Sequence, residues 1–166
     1  MRKLFLGVLA VGALVFGFWL VLKLFPSDEK VIRQRLDKLA QAASFGANES
    51  PLSRLASASK VAGFFTADVA LHIEALGAET RDVAGRDELQ QGVLGARSTL
   101  GSLTIKFLDT QVEVSPDRQS ATALLTAQVN TPNDPNFGVQ EVKLTWKKVE
   151  REWLISQVET VKTLKR

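Results

Sequence analysis

Residues 103–114 read LTIKFLDTQVEV, and this stretch decides the fold. Leu103, Ile105 and Phe107 alternate with Thr104 and Lys106, so they share one face of an extended chain. Leu108, Val112 and Val114 continue the alternation in the opposite phase. Strand side chains repeat every two residues, and a one-residue shift within a strand is what a β-bulge produces. The pattern therefore predicts a strand bent near residues 107–109. A bent strand belongs to a curved sheet with one apolar face, and that face has to be covered.

Downstream, Pro116-Asp117-Arg118-Gln119 reads as a turn and residues 121–130 as the returning strand. Thr131-Pro132-Asn133-Asp134-Pro135-Asn136 reads as a loop. Residues 137–149 form the next strand, with Val142, Leu144 and Trp146 on one face. Glu150-Arg151-Glu152 turns the chain into a closing strand over 153–161. The short turns predict antiparallel pairing. Upstream, Asp28 and Glu29 open a helix whose apolar face is Ile32, Leu36, Leu39 and Ala43. Residues 45–49 are a loop, Ser50-Pro51 caps and starts a second helix running to about Phe65, and Thr66-Ala67-Asp68 is a turn. Residues 69–76 alternate as a strand. After a turn around Gly77, Gly85-Arg86-Asp87-Glu88 opens a third helix with Leu89, Val93, Ala96 and Leu100 on one face, ended by Gly101. Gly92 and Gly95 inside it are expected to permit close packing. The class is α+β: a curved antiparallel sheet packed on three helices.

One transmembrane helix is expected ahead of this domain. Residues 4–25 (LFLGVLAVGALVFGFWLVLKLF) are a 22-residue run with a single charge, Lys23. As a helix the run is about 33 Å long, enough for a hydrocarbon core of about 30 Å. It is too long for the apolar part of a cleaved signal, and bulky residues stand where a small-x-small cleavage site belongs. It is read as a signal anchor, dividing the chain into a span over 1–25 and a domain over 26–166. A literal count of flanking positive charges favours a cytoplasmic domain. A very short basic N-terminus before a long apolar run is the pattern of an exported one, and the expectation taken here is a single-pass inner-membrane protein whose domain is periplasmic or otherwise extracytoplasmic.

Arg2, Lys3 and Lys23 account for the whole net charge of +3, leaving 18 basic against 18 acidic residues beyond position 25. A neutral domain lacks the basic excess that recruits phosphates, so no nucleic-acid partner is expected. The absence of cysteine excludes disulfides, thiolate metal sites and a Cys nucleophile. His72 is the only histidine, which rules out a two-His zinc site within one chain. Neither a metal nor another cofactor is expected.

Four groups of residues, Gly63-Phe64-Phe65-Thr66-Ala67-Asp68-Val69, Val83-Ala84-Gly85-Arg86-Asp87-Glu88-Leu89, Ser115-Pro116-Asp117 with Ala121, and Trp146 through Trp153-Leu154-Ile155, stand in an order and spacing that resemble the nuclear transport factor 2-like superfamily. These are also called SnoaL-like or cystatin-like α+β domains. The resemblance covers roughly residues 28–161 and implies a cone: a curved sheet closing over a pocket against the helices. The superfamily includes ketosteroid-isomerase-like and dehydratase-like enzymes beside members that only bind or scaffold. An isomerase-like site needs a carboxylate to move the proton, and a tyrosine with a second acid to stabilise the oxyanion. This chain has no tyrosine, and no catalytic residue is assigned.

The candidates for a ligand pocket are His72, Glu74, Asp109, Trp146 and Trp153. His72 and Glu74 are one strand step apart and share a face, where they can act as a base and its partner if that face lines the pocket. The opposing reading turns Leu71 and Ile73 inward and leaves His72 and Glu74 in water. Trp146 and Trp153 flank the last hairpin, either as core or as an aromatic wall. An anchor, a binding-type fold and a missing catalytic set point to a membrane-anchored, non-enzymatic binding or scaffold domain. Such a domain has the layout of type IV secretion scaffolds and pairs through the open sheet face (Thr122, Thr126 and Gln128 against Lys143, Thr145 and Lys147) or with another membrane protein. The alternative is a small-molecule-binding or lyase/isomerase-type domain with its ligand in the cone.

Overall fold

The computed structural model describes residues 27–73, 81–131 and 134–161. Three helices, α1 (Asp28–Ala43), α2 (Pro51–Ala62) and α3 (Arg86–Thr99), cover one face of a curved six-stranded sheet. The strands are β1 (Phe65–Ile73), β2 (Arg81–Ala84), β3 (Thr104–Val114), β4 (Ser120–Thr131), β5 (Asp134–Val149) and β6 (Glu152–Thr160), in the order β2-β1-β6-β5-β4-β3. The apolar run over 4–25 and Glu74 lie outside the described residues. Among the described residues, no helix is long and apolar enough to cross a membrane.

The sheet is mixed, where antiparallel pairing throughout was expected. β3 to β6 form the antiparallel meander, but β1 runs parallel to β6, with Leu71 opposite Val158 and His72 opposite Glu159. No hairpin joins these two strands, so turn chemistry does not set their direction. β2 escaped the sequence reading because its four residues, RDVA, are too few to show a period. The phase shift in residues 103–114 marks a real bulge: the β3–β4 register slips between Leu108 and Gln111, and Asp109 sits at φ 50°. β5 already begins at Asp134, inside the stretch read as a loop.

Each helix begins as its first residues dictate. The Ser27 hydroxyl accepts the Lys30 N–H at 3.3 Å and the Ser50 hydroxyl accepts the Ser53 N–H at 3.2 Å, satisfying N–H groups that the helix cannot. α3 starts at Gly85, whose φ of 89° disfavours a side chain, and Glu88 reaches back to accept the Ala84 N–H at 2.9 Å. α2 stops three residues earlier than expected, because the Phe64 carbonyl takes the Ile155 N–H at 2.9 Å and Phe65 enters β1. Gly92 and Gly95 do not serve close packing: a Cβ at either position meets nothing within 4 Å.

The core between the layers joins Ile32, Leu36 and Leu39 of α1 to Phe64, Phe65 and Val69 at the start of β1 and to the inner face of β4–β6. Two charged clamps tie the layers at opposite ends of α1. At its start, the Asp28 carboxylate accepts from Trp153 Nε1 at 3.0 Å, Lys148 Nζ at 2.9 Å and Arg118 Nε at 2.6 Å, joining the helix to both hairpin ends. Beyond its end, buried Arg97 of α3 holds both oxygens of Glu49 at 2.8 Å, donates to the Ala42 carbonyl and stacks on Phe45.

Burial raises the Asp28 pKa, but the bonds from Lys148, Trp153 and Arg118 outweigh it and bring the carboxyl from its ordinary 3.8 down to about 2. The charged form is therefore the stabilising one. Its contribution is complete above about pH 4 and is lost as pH falls towards 2, where the folded protein takes up the proton. Asp28→Asn is expected to cost about 1–3 kcal/mol at pH 7 in urea melts, and the gap to the parent should close between about pH 4 and pH 2. Gly92→Ala and Gly95→Ala should each stabilise by about 0.5–1 kcal/mol in the same melts, since both sites are open and helical.

Candidate functional site

Two surfaces compete for function, the inside of the cone and the outer face of the sheet. On the inside, β4 presents Ala121 and Ala123, small residues that leave room for the indoles carried by β5 and β6. Ala121 pairs in register with Trp146, which in turn pairs with Ile155. Trp146 is 0 % exposed and Trp153 1 %, and both belong to the same core cluster as Ile32, Leu36 and Phe64. Of the two places open to them, core or aromatic wall, both indoles stand in the core, where the helices lie close enough for them to fill the space. Trp153 is held at its rim by Asp28, whereas the Trp146 indole N–H is buried without an acceptor.

His72 stands on the other side. Leu71 is buried, and the strand's alternation turns the His72 side chain outward, 54 % exposed, with Nδ1 2.6 Å from Asp82 Oδ1. Of the two placements that alternation left open, His72 thus takes the one in water, outside the cone. Across the outer face, Lys143 of β5 meets Glu159 of β6 at 3.7 Å, and Glu159 is the register partner of His72. The result is a polar row running Lys143, Glu159, His72, Asp82 over four strands. Among the described residues, the buried polar or charged side chains are Thr66, Arg97 and Ser156, so none of the buried ones is a carboxylate or an imidazole. Asp28, at the rim, is a poor proton acceptor with its pKa near 2.

Asp109, by contrast, lines a recess. The bulge lifts it from the β3 ladder beside a cleft of about 270 Å³ lined by Asp109, Gln111, Leu124, Thr126, Glu141 and Val161, among others. The cleft lies on the outer face, because Gln111 pairs with Leu124 and Thr126 with Glu141, while Ala123 and Leu125 between them turn into the core. Leu124 is 46 % exposed, and Leu108 and Val139 near it are similarly open. The structure thus separates the candidates: Trp146 and Trp153 inside, His72 and Asp109 outside on different strands.

Sequence reasoning placed Thr126 on the open face, set Leu108 in one phase with Val112 and Val114, from which the bulge separates it, and passed over Leu124, Val139 and Glu141. A signal was present at Leu124-Leu125, since two adjacent leucines in one strand cannot both face the core. Among the described residues, no group of three acidic or histidine side chains could hold a metal ion.

No family model matches the chain, and no curated protein matches it in sequence. Solved structures do match it in shape. A protein of unknown function with a cystatin-like fold from Nostoc punctiforme is similar at 18% identity and a TM-score of 0.58, over 84% of this chain and 96% of that one. A nuclear transport factor 2-like protein with a cystatin-like fold from Novosphingobium aromaticivorans is similar at 16% identity and a TM-score of 0.60, over 88% of this chain and 86% of that one. The yeast UBP3-associated protein BRE5 is similar at 11% identity and a TM-score of 0.62, over 84% of this chain and 100% of that one. At these identities the likeness is one of fold: the chain has the nuclear transport factor 2-like, cystatin-like α+β fold.

Substitutions separate the two surfaces. Trp146→Ala should lower stability by about 3–5 kcal/mol in a denaturant melt, the cost of emptying a packed core site. His72→Ala should cost less than about 1 kcal/mol, as for exposed ion pairs.

Proposed function

We propose that this chain is a membrane-anchored, non-enzymatic binding or scaffold domain. In this reading residues 4–25 span the inner membrane once, residues 26–166 face the periplasm, and the outer face of the sheet is the docking surface for a second copy. The observation that carries the proposal is the division of side chains between the two faces. The cone is filled by Trp146, Trp153 and their neighbours, while on the outer face Leu124 lines the Asp109 cleft and Leu108 and Val139 stand open. Exposed apolar side chains interspersed with polar ones are what a polar, specific interface uses, and the Lys143 to Asp82 polar row gives it partners that set register. The 22-residue apolar run supports the anchor, and a scaffold held in a plane by one helix gains from pairing because tethering raises its local concentration.

A second reading, a small molecule or lyase/isomerase substrate held in the cone, is favoured by one observation. The buried Trp146 N–H lacks an acceptor, which a bound carbonyl or hydroxyl would supply.

Sedimentation of the full chain in detergent tests the docking face. A dimer is expected for the parent and a monomer for Leu124→Arg, which sets a charge at the centre of the open patch. A parent that stays monomeric at high concentration, or a Leu124→Arg protein that remains dimeric, removes the sheet face as the interface; capture of a different membrane protein by that face would instead make the partner heterologous.

A further inference from the structure

The loop between α1 and α2 and the end of α3 enclose a polar pocket of about 250 Å³, lined by Asn48, Glu49, Arg54, Arg97, Ser98 and Gly101, among others. Its walls all belong to the helix layer, away from both the cone interior and the outer sheet face. Two arginines stand here against one glutamate, and the glutamate is already committed. Both Glu49 oxygens take Arg97 Nη1 at 2.8 Å, and the Arg97 side chain is 1 % exposed.

Arg54, on the first turns of α2, has no such counterpart. It is half-buried, its Nε is shut off from solvent, and among the described residues no hydrogen bond, ion pair or ring contact holds its side chain. The other described arginines that are withdrawn from full exposure each have a partner: Arg35 has Glu152 at 3.6 Å, Arg86 the Phe65 carbonyl at 3.1 Å, and Arg97 has Glu49. A guanidinium that loses water without gaining an anion is costly, and the pocket beside it is where an anion would offset that cost.

The rest of the lining suits negative charge. α3 ends at the pocket, but Arg97 stands in its last turn, where a cation offsets the negative end of the helix dipole. Ser98 Oγ and Thr99 Oγ1 donate to the Leu94 and Gly95 carbonyls at 2.8 and 2.6 Å, so two of the last carbonyls are covered. On the opposite wall, no hydrogen bond among the described residues takes up the N–H groups of Gly46, Ala47 or Asn48. Asn48 is left-handed at φ 66°, a conformation that in a turn brings successive N–H groups to one side.

We propose that this pocket binds a phosphate group, held in the fork of Arg54 and by the N–H groups of the loop at residues 46–48. A planar guanidinium meets two phosphate oxygens at once, which a lysine cannot do. The volume leaves room for a phosphate with a small organic body, from a soluble phosphomonoester or from a lipid headgroup.

The full chain in a non-ionic detergent, titrated with inorganic phosphate at constant ionic strength, should broaden the phosphorus NMR line in a saturable way, with a dissociation constant on the order of 1 mM. Arg54→Gln should weaken this at least about tenfold, and Arg151→Gln, on the exposed turn before β6, should leave it within about twofold. A Cβ at Gly101 meets nothing within 4 Å, so Gly101→Asp sets a carboxylate in the pocket without crowding it. That variant should also abolish binding, and it decides the case if Arg54→Gln does not fold. Broadening that never saturates, or that falls equally in Arg54→Gln and Arg151→Gln, overturns the site. Competition then names the source: displacement of inorganic phosphate by glycerol phosphate supports a soluble phosphomonoester, and displacement by a short-chain phosphatidic acid supports a lipid headgroup. If neither displaces it, the phosphate is an adventitious ion only and the proposal falls.

Discussion

A sheet with one apolar face has to bury that face, and here the bulge at Asp109 determines how. By putting one residue out of phase, β3 curves around α1 instead of running straight past it. The concave side then matches three helices, and a single cluster from Ile32 to Trp146 becomes dry. Had the strand stayed in phase, Phe107 and Val112 would face opposite sides and the edge of the core would be lost. Loop closure, helix placement and the position of both clamps follow from that curvature.

Within the cone the two indoles and the two alanines opposite them form one packing unit. Trp146 and Trp153 supply area, and Ala121 and Ala123 supply space. A core filled in this way is stable but chemically silent, because neither indole offers a proton that titrates near neutrality. Charged groups gather at the ends of α1 and on the outer face. At the ends they act as fasteners, Asp28 to the hairpins through three donors and Arg97 to the loop at Glu49 through Nη1, which serves both carboxylate oxygens. On the outer face Lys143 pairs with Glu159 and His72 with Asp82, and Leu108, Leu124 and Val139 stand open on the same face. The same fold that silences the interior therefore makes the exterior the surface with recognisable features.

Local pattern alone revealed the helices, the meander and the bulge. Ser27, Ser50-Pro51 and Gly85 are capping signals whose action extends over three or four residues, and the phase shift at Leu108 is carried by the residues themselves. The candidate site was less legible. The outward turn of His72 was one of two readings, because alternation shows that Leu71 and His72 point apart without showing which side is dry. Gly92 and Gly95 looked like packing residues because a helical glycine has no visible purpose in a sequence, and their open surroundings belong to the assembled molecule.

The sequence by itself determined the three helices and the strands long enough to show a period, where the third strand bends, that the domain is neutral, and that thiol and tyrosine chemistry are absent, since each of these depends on residue identity or on neighbours a few positions away. Only the tertiary structure decided that β1 runs parallel to β6, that Asp28 gathers three donors from two hairpins, that Trp146 and Trp153 fill the cone, and that Asp109 and Leu124 share an outer cleft. Those facts rest on contacts between residues up to 125 positions apart, as between Asp28 and Trp153, and such contacts are set by how the layers close and not by any local signal.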